Sequence, residues 1–184
     1  MLFLIVGRCE KNVNDSEALK VVVKQQAKNY FNTFLERDFK NIIEFFPSYY
    51  KKLLFVDMGL DIDEFVNIYE KQIPKNYFHS FDITEVKNVM YDSEFSTYET
   101  YISYDIYISD NFIDDGSDVP LLFKKTFLVG MSKDKEKWSF IEADIFTEGG
   151  FIEFHPQLKK LEMPPIINYA EKRLKEKLDE LDSK

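Results

Sequence analysis

Cysteine, histidine, glycine and proline are all scarce in this chain of 184 residues. The lone cysteine, Cys9, excludes an internal disulfide. With only two histidines, His79 and His155, no cysteine–histidine zinc cluster can be assembled, and a hydrolytic triad has little raw material. Six glycines and six prolines exclude collagen-like and low-complexity chains. The glycines are also too scattered to form a phosphate-cradling loop.

Positive charge is short as well. Lysine and arginine number 24 against 33 aspartates and glutamates, for a formal net charge of −9 and a pI near 4.8. Such a surface repels phosphate backbones, so nucleic acid is not an expected partner. The densest basic stretch, Lys172, Arg173, Lys175 and Lys177, is interleaved with Glu171, Glu176, Asp179 and Glu180. It reads as a solvated helix face. Aromatic side chains, by contrast, are abundant: 18 Phe and 11 Tyr. They supply core volume for one large domain and favour flat or apolar ligands wherever they border a cavity.

The N-terminus carries two readings. Met1 to Val6 are wholly apolar, too few to span a bilayer, and Gly7, Arg8, Cys9 and a polar stretch follow. This resembles the tail of a bacterial lipoprotein signal, which implies Cys9 as a lipidated anchor and an envelope interaction domain. Arg8 departs from the small residue expected before such a cysteine, which favours the other reading, a cytoplasmic chain with an apolar tail or first strand.

Hydrophobic periodicity then predicts three helices. Leu19, Val22, Val23, Ala27, Tyr30, Phe31, Phe34 and Leu35 form one stripe over about 16–37, following a polar linker at 10–15. Asp38 caps a shorter helix that breaks near Pro47, and residues 48–57 either finish it or form a short strand. Asp61 caps a third helix carrying Phe65 and Tyr69, ended by Pro74. The period then changes from 3.6 to 2, predicting strands at 78–91, 95–110, 121–131 and 137–146, with a short edge strand at 151–154. After Pro164-Pro165, Ile166, Ile167, Ala170, Leu174, Leu178 and Leu181 predict a C-terminal helix. In the second strand, Glu99, Tyr101, Ser103, Asp105 and Tyr107 share a polar face that reads as the solvated side of the sheet.

This order resembles the nuclear-transport-factor-two-like (cystatin-like cone) superfamily over residues 14–146. The residues behind the resemblance are Tyr30–Leu35, the turn Arg37-Asp38-Phe39-Lys40, and Lys137-Trp138-Ser139-Phe140-Ile141. The expected fold is α+β: three N-terminal helices on a strongly curved antiparallel sheet of four or more strands, with an added C-terminal helix. Residues 1–13 would be an apolar terminus and linker, and 147–184 an extension. The resemblance implies a cone-shaped pocket, here lined by Tyr30, Phe34, Phe65, Tyr69, Tyr104 and Trp138. Its members include isomerases, dehydratases and epoxide hydrolases alongside many binding and accessory domains, so the fold does not choose the function.

The favoured expectation is a binding or accessory domain that takes an apolar small molecule or a protein segment. An enzyme of the lyase, isomerase or hydrolase type would need Asp105, Tyr101 or His79 inside the cavity. Glu142 and Asp144, among Trp138, Phe140 and Phe146, read as a sheet rim. His155, before Pro156, reads as an exposed loop residue. No cofactor or metal is expected: Asp110, Asp114, Asp115 and Asp118 lack the spacing of a helix–loop–helix calcium site. A homodimer through the sheet or the C-terminal helix is a further expectation.

Overall fold

The computed structural model describes residues 10–73, 75, 77–108, 122–148, 155 and 158–168. Cys9, the acidic loop and the amphipathic stretch from 169 onward lie outside the described residues. Among these residues no helix is long and apolar enough to cross a membrane.

Helix α1 (Glu10–Leu35) begins earlier than the periodicity predicts, so residues 10–15 are helical rather than a linker. Its stripe Val23, Ala27, Tyr30, Phe31 and Phe34 is buried, while Val22 and Leu35 at the stripe's margins stay exposed. The helix ends in a left-handed residue, Arg37 (φ 58°), a conformation glycine usually supplies. The Asp38 amide donates to the Thr33 carbonyl at 2.7 Å and the Arg37 amide to that of Phe34 at 3.1 Å, closing the helix C-terminus. A guanidinium explains the arginine. It donates to the Ile73 carbonyl at 2.8 Å and the Glu70 carbonyl at 3.3 Å, and stands 5.0 Å over the Phe39 ring. Asp38 then caps helix α2 (Phe39–Ile42) by accepting the Asn41 amide at 3.2 Å.

Residues 48–57 are helical: α3 (Ser48–Lys52) runs into a wider turn at Leu53–Asp57. Helix α4 (Ile62–Gln72) is capped by Asp61, whose carboxylate accepts the Asp63 amide at 2.7 Å. Phe39, Ile42, Phe46, Tyr50, Leu54 and Phe65 interlock these short helices as the lower part of the core.

The sheet is antiparallel, with β1 (Phe78–Val86) and β2 (Met90–Asp92) on one side of β3 (Thr97–Ile108), and β4 (Leu122–Ser132) on the other. β5 (Ser139–Glu142) and β6 (Ile167–Asn168) share the far edge of β4. Register shifts at Phe78/Ser80 and Ile83/Glu85 bend β1 over the helices. The α+β class and the antiparallel sheet are therefore as the sequence predicts.

Three segments differ. The first predicted strand divides at residues 87–89. The fourth stops at Glu142, and the chain turns into α5 (Ala143–Glu148), where the Thr147 hydroxyl donates to the Ala143 carbonyl at 2.8 Å. Ile167, expected to open a helix, instead pairs with Lys125 in β6.

The two faces of the sheet are both covered. Ile102, Tyr104, Ile106, Phe81 and Phe140 meet α1; Phe31 stacks on Phe81 with centroids 4.5 Å apart. The opposite face, Glu99, Tyr101, Phe127, Val129 and Ile141, is buried as well. This overturns its reading as a solvated surface. Leu158 is fully buried and its carbonyl accepts the Tyr101 hydroxyl at 3.3 Å.

Candidate functional site

A cavity of about 220 Å³ opens between α1 and the concave face of the sheet. Phe31 and Phe34 of α1, Phe78 and Phe81 of β1, and Tyr104 and Ile106 of β3 form its apolar wall. Four polar residues enter from the far strands: Lys124 and Thr126 of β4, Glu142 at the end of β5, and Asp144 of α5. The strand register explains the grouping. Thr126 pairs with Tyr104, and Glu142 pairs with Leu128, so alternate residues of β3, β4 and β5 present one face to α1.

Glu142 is the central polar group. Its Oε1 accepts the Tyr30 hydroxyl at 3.2 Å. Burial pushes its carboxyl above the ordinary carboxylate range and the nearby Asp144 pushes the same way, while the Tyr30 hydrogen bond and the Lys124 ammonium oppose both. The residue is only half-buried because the cavity itself reaches it. Asp144 lies nearer solvent, paired with Lys124 at 2.9 Å. Tyr30 bonds the carboxyl and Tyr104 lines the same cavity; burial first, then the Glu142 carboxylate, pushes up the hydroxyls of Tyr30, Tyr104, Tyr69 and Tyr50. The arrangement offers one titratable acid in an aromatic cup. It can donate a hydrogen bond to a ligand oxygen or exchange a proton with it.

Of the predicted lining residues, Phe34 and Tyr104 border the cavity, and Tyr30 reaches it through Glu142. Phe65 and Tyr69 stack on each other at 4.5 Å within the helical part of the core. Trp138 plugs the core beneath α1, with its indole N–H donating to the Lys135 carbonyl at 3.1 Å and its amide to Gln26 at 2.9 Å. None of these three lines the cavity.

The predicted catalytic candidates are placed elsewhere. Asp105 sits on the opposite face, 3.8 Å from Lys125. Tyr101 is buried on that same face under Leu158. His79 is exposed on β1. The alternation of β3 already separates Tyr101 and Asp105 from Tyr104, so an odd-numbered residue of that strand cannot share its cavity. Glu142 and Asp144, read as a rim, supply the acids instead.

His155 also departs from expectation. It is buried, with Nδ1 2.7 Å from Oε1 of the inaccessible Glu99. Among the described residues no cluster of three or more metal-ligating side chains occurs. No protein-family model matches the chain, and neither the curated proteins nor the solved structures contain a match to it.

Proposed function

We propose that the chain is a binding domain that takes one small, largely apolar ring in the cavity between α1 and the sheet, anchored through Glu142. The carrying observation is the Glu142 carboxyl in an aromatic wall, raised by burial and braced by Tyr30. The volume of about 220 Å³ suits a ring with a short substituent; an engineered apolar cavity of roughly 150 Å³ accommodates benzene. A carboxyl set in an apolar wall selects ligands that carry a hydrogen-bonding oxygen, such as a cyclic ketone or a phenol.

A thermal-shift series with cyclohexanone, phenol and benzene tests this reading. The oxygenated ligands should raise the melting temperature of the wild type more than benzene does. Ile106→Phe, which fills the cavity, should abolish every shift. Equal shifts in wild type and Ile106→Phe would refute the site, as would no shift at millimolar ligand.

The raised carboxyl also favours a second reading, an enzyme in which Glu142 moves a proton to or from a carbon beside a carbonyl. Incubating cyclohexanone with the protein in D₂O and following α-deuteration by NMR separates the two. Exchange that disappears in Glu142→Gln supports the enzyme; binding without exchange removes it.

A further inference from the structure

A second cavity lies on the far face of the sheet from Glu142. It is a groove of about 800 Å³ between α3 and the ends of β3 and β4. Phe46, Tyr49, Leu53, Phe95 and Met131 give it apolar walls. Lys51, Lys52, Lys133 and Lys137 border it, a local concentration of ammonium groups on a chain of net charge −9. Three acids share the lining, Glu44, Asp57 and Asp134, and two are engaged. Asp134 accepts the amides of Glu136 and Lys137, each at 2.9 Å, and Glu44 lies 4.0 Å from Lys137.

His155 completes the lining, only 6% exposed, with its ring 5.9 Å from Tyr49, 6.1 Å from Phe95 and 5.6 Å from Phe146. Its Nδ1 lies 2.7 Å from Glu99 Oε1, which also accepts the Thr97 hydroxyl at 2.9 Å. Glu99 Oε2 has no partner among the described residues. A carboxylate removed from water this completely persists only beside a proton donor or a positive charge. Here the donor is an imidazole, and a carboxylate on one ring nitrogen orients the other toward whatever occupies the site. No hydrogen bond engages Nε2 among the described residues. The groove thus joins an apolar trough, a positively charged border and one oriented imidazole.

We propose that this groove binds an amphiphilic carboxylate. Its hydrocarbon chain lies along Tyr49, Leu53, Phe95 and Met131, and its head group meets Nε2 of His155 and the bordering lysines. A volume of this size accommodates a chain of medium length. The site is separate from the Glu142 cavity and stands or falls independently of it.

Isothermal titration calorimetry with decanoate below its micellar concentration, and with decanol as the neutral control, tests the assignment. Decanoate should bind at least tenfold more tightly than decanol. Lys133→Glu/Lys137→Glu alters only exposed side chains and should remove most of that preference, and His155→Gln should weaken decanoate by a similar factor. Ile106→Phe, which fills the other cavity, should leave decanoate affinity unchanged. Absence of binding, equal affinity for the two ligands, full affinity in the charge-reversed variant, or loss of decanoate in Ile106→Phe would each overturn the proposal. The lysine variant carries the test even where His155→Gln fails to fold.

Discussion

Each face of the sheet draws one glutamate away from water, and the two are held differently. Glu142, on the α1 side, accepts a neutral tyrosine hydroxyl and borders a small aromatic cavity. Glu99, on the opposite side, is fully inaccessible and bonded to an imidazole. A hydroxyl shares no charge with a carboxyl, so burial acts on Glu142 by favouring its protonated form. The Glu99 carboxyl instead shares a 2.7 Å hydrogen bond with a ring nitrogen of His155, and removing either partner leaves the other buried without it. The first arrangement makes a titrating acid in a pocket. The second makes a latch, because His155 bonds to Glu99 and the Leu158 carbonyl accepts the Tyr101 hydroxyl on the same face.

The largest effect should come from breaking the latch. His155→Leu leaves Glu99 buried with only Thr97 as donor, and removing one partner of such a pair costs about 3–5 kcal/mol. Urea unfolding measures it. The double variant Glu99→Met/His155→Leu should recover most of the loss, since an apolar pair of similar volume carries no orphaned charge. A single-variant loss below about 1 kcal/mol would show that the pair does not hold the outer layer.

Packing against α1 gives the next effect. Gly130 lies on the helix-facing side of β4, and a Cβ there would sit 3.0 Å from Ile102 Cδ1, 3.3 Å from Trp138 Cε3 and 3.4 Å from Phe140 Cε1. Gly130→Val should cost about 1–3 kcal/mol through overpacking. Gly59→Ala is the control: φ is +68° but nothing lies within 4 Å, so only backbone strain of about 1 kcal/mol opposes it. Equal losses in the two variants would mean that the Gly130 site relaxes freely.

The β3 alternation was readable from its residues, and the strand runs Thr97–Ile108 against an expected 95–110. Alternation tells which side chains share a face but not what lies over them. Glu99 and Asp105 therefore make the outer face look solvated, whereas His155 and Leu158, in a stretch that carries no period, bond to it at Glu99 and Tyr101. The end of β5 was ambiguous for a different reason. Glu142, Ala143, Asp144 and Ile145 alternate as a strand would, yet Ala143, Phe146 and Thr147 also meet helical spacing, and the latter prevails. That turn brings Asp144 around to Lys124. Phe34 and Tyr104 were legible as cavity residues from their stripes. Glu142 was visible as an acid among aromatics, but its partner Tyr30, 112 positions away, was not.

The smallest effect distinguishes the two glutamates by pH. Burial raises the Glu142 carboxyl, so the folded protein holds that proton to a higher pH than the unfolded chain does. Between the ordinary carboxylate value and the raised one, the native state binds more protons, and stability falls as pH rises. Each pKa unit of difference corresponds to about 1.4 kcal/mol. Solvent entering the cavity keeps the contribution small. Glu142→Gln should flatten this component of the stability profile in the range just above the ordinary carboxylate pKa. Tyr30→Phe should act in the opposite sense. It removes a donor that favours the ionised form, so the carboxyl rises further and the decline extends to higher pH. Urea midpoints for the three proteins across this range give the comparison. Parallel profiles for wild type and Glu142→Gln would mean that the carboxyl titrates alike in the folded and unfolded chain, so that burial in the cavity does not raise it.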